Sequence, residues 1–288
     1  MTIVDSRSAT RHAGTRPHAG WHTGPGNSTG RAGGTNHAER VFRVQQAFAE
    51  LGGGIRGLAE LTKASGVDDS AVHRILRSGV AHGTFVRVGR GRYRLGPAAA
   101  KLGIEALEQG VDRASLDLIL NRLRTKTGDG LAFLYGLTRL GGVQRQCVEM
   151  AVGGSDLTEI GLSPRELLAS HRSLRVGASG RAILAFLPES VQQRVADEPV
   201  PDGMGPGAYR DRARLLGSLA EIRAKGYAIG LEECARGWNS FAAPVLWGDV
   251  VAGAVTVMVP APISASLGTH VDAVRSAATA VQRLMLDH

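Results

Sequence analysis

What this 288-residue sequence lacks narrows it first. It holds two cysteines, Cys147 and Cys234, too few to build a cysteine metal cluster by themselves. They could pair as one disulfide, but two free thiols in a reducing cytoplasm are the expectation. No run of 18 apolar residues occurs, and the longest approach, Val250–Pro262, is too short to span a bilayer. Residues 1–36 contain no apolar core of the kind a secretory leader carries, so none is expected. Lysine is scarce: Lys63, Lys101, Lys126 and Lys225 are the four, and every other basic residue is arginine. Global disorder is excluded, because 43% of residues are hydrophobic and 21% charged, enough for a sizeable core.

The charge is not balanced. Lys plus Arg number 34 against 26 acids, a net of +8. Such an excess suits a polyanion or an anionic surface. A GC-rich coding bias would also favour arginine, but it would spread the excess evenly. The distribution is uneven: residues 1–38 carry +3, residues 39–101 carry +6, and residues 102–288 carry −1. A basic N-terminal module joined to a neutral domain is the simplest reading.

Residues 1–38 are rich in Gly, Thr, Ser, Arg and His, without apolar periodicity, and are expected to be a disordered basic tail. His12, His18, His22 and His37 match no zinc spacing, so no metal is expected. Arg7, Arg11, Arg16 and Arg31 suit non-specific phosphate contacts.

Over residues 39–97 the pattern is helical, then strand-like. Val41, Val44, Phe48 and Leu51 share one helix face, stopped at Gly52-Gly53-Gly54. Leu58, Leu61 and Ala64 mark a second short helix ending at Gly66. Asp68 or Asp69 caps a third, with Val72, Ile75 and Leu76 as its apolar face. Two helices across a tight glycine turn form a helix-turn-helix. Its exposed face is expected to carry Ser70, Ala71, His73, Arg74 and Arg77 into a DNA major groove. Thr84–Val88 and Arg92–Leu95 then read as a hairpin around Gly89-Arg90-Gly91, a wing that sets Arg90 and Arg92 against phosphates or the minor groove. A helical hairpin used for protein contacts is the bland alternative.

Residues 98–114 read as a linker helix started by Pro97, and residues 115–288 as one α+β sensor domain. Within it, Leu131–Leu137 and Val143–Met150 pair as strands, and Gly237–Leu246 and Val250–Val259 form a hairpin. Helices are expected over 115–127, 178–187, 210–225 and 270–286. Gly177–Gly180 precedes an apolar helix, where backbone N–H groups and the Ser179 hydroxyl suit an anion; a plain loop with Ser179 as cap is the alternative.

Motifs in order across both halves resemble the IclR family of bacterial transcription regulators. "LAELTKASGVDDSAVHRIL" and "GRYRLGPAAAKLG" resemble its N-terminal domain, matching at Ser70, His73, Arg74, Tyr93, Leu95 and Gly96. "LRVGASGRAILAFLP" and the segment from Ile222 to Pro260 resemble its C-terminal domain. Ala71 stands where the family often has threonine, and Asp69 where it has a basic or neutral residue. The resemblance implies a winged helix-turn-helix, a linker helix and a GAF-like effector domain. It also implies a homodimer or dimer of dimers on a double-stranded DNA operator, with a small organic acid as effector and no cofactor. Carried over residue by residue, effector contacts fall on Leu174, Ala178, Ser179, Gly180, Ser240, Thr256 and Met258.

A cytoplasmic repressor controlled by that acid is therefore the leading reading. An enzyme would need a nucleophile–base pair or metal ligands, yet His171, His270 and His288 lack a supporting motif. Glu232-Glu233 looks like a carboxylate pair, but in the family it is structural. A DNA-architectural protein with a vestigial sensor pocket is the third alternative. Cys234 and Trp238 are expected to be packing residues, with a redox thiol and a pocket-bordering ring as the respective alternatives.

Overall fold

Helix α1 (Thr35–Glu50) begins the part of the chain that the computed structural model describes, residues 35–108, 112–138, 142–261 and 267–286. The arginines and histidines of residues 1–34, and His288, lie outside the described residues. Residues 35–38, expected to belong to the tail, form the first turn of α1. The helix turns Val44, Ala47 and Phe48 inward, as its period predicts. It stops where Gly52, Gly53 and Gly54 take φ of 78°, 71° and 80°, a conformation costly for any residue with a Cβ.

A two-residue strand, β1 (Arg56–Gly57), leads into α2 (Leu58–Ser65), which ends at left-handed Gly66. Helix α3 (Asp69–Ala81) starts from Asp68, whose carboxylate accepts the Ala71 N–H at 2.9 Å. Strands β2 (Phe85–Gly89) and β3 (Arg92–Leu95) pair antiparallel, and β1 closes the other side of β3. Leu61, Val72, Ile75, Leu76 and Tyr93 fill the core around Phe48 and Phe85, whose rings stack 5.2 Å apart.

The linker starts at Gly96. A Cβ there would lie 2.2 Å from the Gly83 carbonyl oxygen, so only glycine fits. The Gly96 N–H donates to Thr84 O at 2.7 Å, fastening the wing to α4 (Pro97–Glu108). Helix α5 (Arg113–Lys126) follows, capped by Asp112.

The C-terminal half is built on a six-stranded antiparallel sheet. Its strands are β4 (Leu131–Thr138), β5 (Gln144–Ala151), β6 (His171–Ser173), β7 (Ala228–Leu231), β8 (Trp238–Trp247) and β9 (Val250–Pro260). Their order is β6-β5-β4-β9-β8-β7. Side chains alternate between faces along a strand. Phe241, Ala243, Val255 and Val257 therefore meet Leu120 of α5 and Val274 of α10 (Leu267–Leu286) on one side. On the other side, Phe133, Tyr135 and Ala242 meet α6 (Pro164–Ala169), α7 (Ala178–Leu184), α8 (Glu189–Asp197) and α9 (Arg212–Lys225). The fold is thus α+β, with a winged helix-turn-helix ahead of a curled-sheet domain, as the sequence implies. Strands β6 and β7 and helix α6 are too short to show periodicity.

Candidate functional site

Two regions gather the polar side chains that packing leaves unexplained. The first is the outer face of α3 with the β2–β3 turn. His73, Arg74 and Arg77 are exposed there, as are Arg90 and Arg92, and none makes a salt bridge among the described residues. Asp69 does not stand alone against this basic face. It accepts a hydrogen bond from the Thr62 hydroxyl at 2.5 Å, tying α3 to α2 across the turn. The Ser70 hydroxyl donates to Asp68 at 2.7 Å and still has lone pairs to accept with. Asp68 is also 3.8 Å from Arg40, and its carboxyl is held below the ordinary value by the Ser70 hydroxyl and the Ala71 N–H.

Ala71 is a correction. It is 3% exposed and packs with Val72, Ile75 and Leu76, so it cannot reach DNA from the outer face. One turn into the helix, its Cβ points back toward α1 and α2.

The second region is a cavity of about 410 Å³ in the C-terminal half. Its walls come from β4, β5, α6, β6, α7, β8 and β9 and from the segments at residues 159–162, 203–204 and 234–236. Ala178, Ser179, Ser240, Thr256 and Met258 line it. Ser240 and Met258 are paired neighbours on β8 and β9, and Thr256 lies two residues from Met258 on the same face.

Leu174 and Gly180 do not line it. Leu174 is fully buried in the core, and a Cβ at Gly180 would come within 2.8 Å of the Leu174 carbonyl. Gly180 is required by close backbone packing behind the cavity wall. Gly177, placed at the same helix start, already donates its N–H to the Glu233 carboxylate at 2.9 Å, so that donor is spent inside the protein.

Two arginines unnoticed in the sequence face the cavity, Arg145 on β5 and Arg172 on β6. Arg145 is 4% exposed and stacks its guanidinium over the Tyr135 ring at 5.4 Å. It donates to the Ser173 carbonyl, while its buried Nε has no partner. Burial pushes its pKa down, because desolvation penalises the charged form. Arg172 Nε and Thr256 Oγ1 are likewise buried and unpartnered. In β5 the buried residues alternate, Arg145 then Cys147, so Arg145 sits in the inward phase of the strand. That was the legible signal.

Cys234 also faces the cavity, and burial pushes its thiol up, opposed by Arg145. Both cysteines are unpaired, in line with the expectation of free thiols. Glu232 and Glu233 do not form a carboxylate pair. Glu233 binds Arg181, and Glu232 accepts the Gly237 N–H at 2.9 Å. His270 is buried against Phe241 with ring centroids 4.8 Å apart, and His171 is exposed at the sheet edge. Trp238 packs on the core without lining the cavity. Among the described residues no cluster of His, Cys, Asp and Glu suits a metal, and no helix is long and apolar enough to cross a membrane.

Comparison with known proteins covers both regions. Residues 166–283 match the family described as bacterial transcriptional regulator IclR C-terminal, and residues 38–87 match the IclR helix-turn-helix domain. The chain is 33% identical over 269 residues to the glycerol operon regulatory protein of Streptomyces griseus, covering 85% of this chain and 97% of that one. It is 30% identical over 217 residues to ArcR, a probable HTH-type transcriptional regulator of Halobacterium salinarum, covering 70% and 75%. In fold it is similar to an IclR homolog from Microbacterium hydrocarbonoxydans solved with 4-hydroxybenzoate, with TM-score 0.53 and 21% identity over 88% of this chain and 100% of that one. It is also similar to the IclR protein of Thermotoga maritima, with TM-score 0.52 and 20% identity over 87% and 99%.

Proposed function

The chain belongs to the IclR family of bacterial transcription regulators, DNA-binding proteins rather than enzymes, and from that premise we propose that it is a cytoplasmic repressor whose hold on its operator is set by a small organic acid. The acid occupies the cavity of the C-terminal half. The observation that carries this reading is Arg145: a guanidinium buried inside a cavity, with an unpartnered Nε and no salt bridge among the described residues. A buried charge without a partner is costly, and an entering carboxylate removes that cost. Ala178, Ser179, Ser240, Thr256 and Met258 complete the contacts.

On the DNA side, Ser70, His73, Arg74 and Arg77 of α3 face the major groove, and Arg90 and Arg92 of the wing meet the backbone. One such helix reads too few base pairs to single out a site in a genome, so the working unit is a homodimer or a dimer of dimers on a palindromic operator. The acid acts by binding one arrangement of the DNA-binding domains more tightly than the other.

The test is a mobility shift with DNA from upstream of the protein's own gene, run with and without a panel of organic acids. Selective binding that an acid weakens supports the reading. Selective binding that no acid alters sinks the sensor half of it.

A further inference from the structure

Arg145 and Arg172 are not only in the same cavity. They are direct partners in the β5–β6 ladder. Residues paired across antiparallel strands have Cα atoms roughly 4.5–5.5 Å apart and side chains on the same face. Two guanidinium groups are thereby held side by side at one end of the cavity. Like charges in this position repel, and Arg172 adds to the burial that lowers Arg145's hold on its proton.

Among the described residues Arg145 has the Tyr135 ring and the Ser173 carbonyl against that repulsion, but no ion pair. Neither arginine makes a salt bridge among the described residues. Glu233, the buried carboxylate nearby, is held by Arg181 and the Gly177 N–H. Of the charged residues lining the cavity, three are arginines, Arg145, Arg172 and Arg236, and one is an acid, Glu159. Glu159 itself accepts a hydrogen bond from the Ser155 hydroxyl. Three residues that line it each carry a buried polar atom without a hydrogen-bond partner: Nε of Arg145, Nε of Arg172 and Oγ1 of Thr256.

We propose that the ligand of this cavity is a small dianion, its two negative charges gripped by the Arg145–Arg172 pair. This rests on the organic-acid reading above and sharpens it. A monocarboxylate brings one negative charge against two positive ones, so one positive charge stays unbalanced even where its oxygens bridge both guanidinium groups. A dicarboxylate with neighbouring carboxylates, or a phosphate monoester, supplies charge and acceptor oxygens for both.

The experiment is calorimetric titration and thermal melting of the full chain at pH 8 with two matched series. The chain series is butyrate, succinate and propyl phosphate; the ring series is benzoate, phthalate and phenyl phosphate. In at least one series a dianion should bind about tenfold or more tighter than its monoanion. Preference for the dicarboxylate or for the phosphate ester identifies which source the cavity takes. Arg172→Gln should abolish that preference while raising the melting temperature of the ligand-free protein, because it relieves the like-charge pair. A merely structural arginine would lower it. Equal binding of monoanions and dianions in both series overturns the dianion and leaves the organic-acid reading standing. Unchanged dianion preference in Arg172→Gln overturns the role of the pair. Absence of binding by every compound overturns both readings.

Discussion

Arg181, midway along α7, and Glu233, just beyond β7, are 2% and 1% exposed and meet through two hydrogen bonds, Nε to Oε2 and Nη2 to Oε1. Glu233 also accepts the Gly177 N–H, and Arg181 lies 4.7 Å from the centre of the Tyr209 ring. The pair clamps the start of α7 to the β7–β8 turn, and the two segments flank the cavity. Removing one partner of such a pair leaves a buried charge alone, at a cost of about 3–5 kcal/mol. Glu233→Ala should therefore lower the urea midpoint of the C-terminal half steeply. Glu233→Ala with Arg181→Met should recover much of the loss, because no orphan charge remains. A single variant as stable as the parent would refute the clamp.

Gly96 answers to geometry rather than to chemistry. An alanine there must displace the Gly83 carbonyl, which is backbone and cannot swing aside. Overpacking of this kind costs about 1–3 kcal/mol. Gly96→Ala should lower the melting temperature of the winged domain and loosen the wing from α4, read as faster amide exchange at Gly96 and Ala98.

The α3 cap makes the DNA-binding half sensitive to acid. Asp68 is held below its ordinary value, first by the Ser70 hydroxyl and then by the Ala71 N–H. A carboxylate with a lowered folded value stabilises fully above about pH 4, and that contribution disappears as pH falls through the folded value. Asp68→Asn keeps a capping oxygen without the titration. Its melting temperature should change less between pH 5 and pH 2 than the parent's; an identical pH profile would remove Asp68 from the account.

On the proposed DNA face, the wing and α3 are expected to make two kinds of contact. Arg90→Ala should weaken binding to all DNA alike and reduce the salt slope by about 1. Arg74→Ala should cost about 1–3 kcal/mol of operator affinity and relax preference at a base pair. Both are read by fluorescence anisotropy over a salt series. The reverse pattern would exchange the roles of helix and wing.

Helices α1 and α2 were legible because each carries apolar residues at helical spacing and stops at glycine, Val44 and Phe48 before Gly52 and Leu61 before Gly66, and α3 because Asp68 caps an apolar face of Val72, Ile75 and Leu76. The long strands β8 and β9 were legible as apolar runs around Trp247-Gly248-Asp249. What escaped were positions fixed by neighbours distant in sequence. Ala71 is the exception: it precedes Ile75 by four residues, so helical spacing already sets it on the inward face of α3. Leu174 and Gly180 belong to matching motifs but touch each other behind the cavity wall. Arg172 sits on a three-residue strand with no period of its own, and its meaning comes from register with Arg145. The loops at residues 159–162 and 203–204 reach the cavity by tertiary folding that no local pattern encodes.

On the proposed function, one chain joins a DNA-reading face to an acid-sensing cavity. The most direct test is a single anisotropy titration of the full chain on labelled DNA from upstream of its own gene, with scrambled DNA as control, in the absence and presence of the tightest-binding acid. The account predicts selective, steeply salt-dependent binding that shifts to weaker affinity when the acid is added. Equal affinity for the scrambled DNA, or a curve that the bound acid leaves in place, would contradict it.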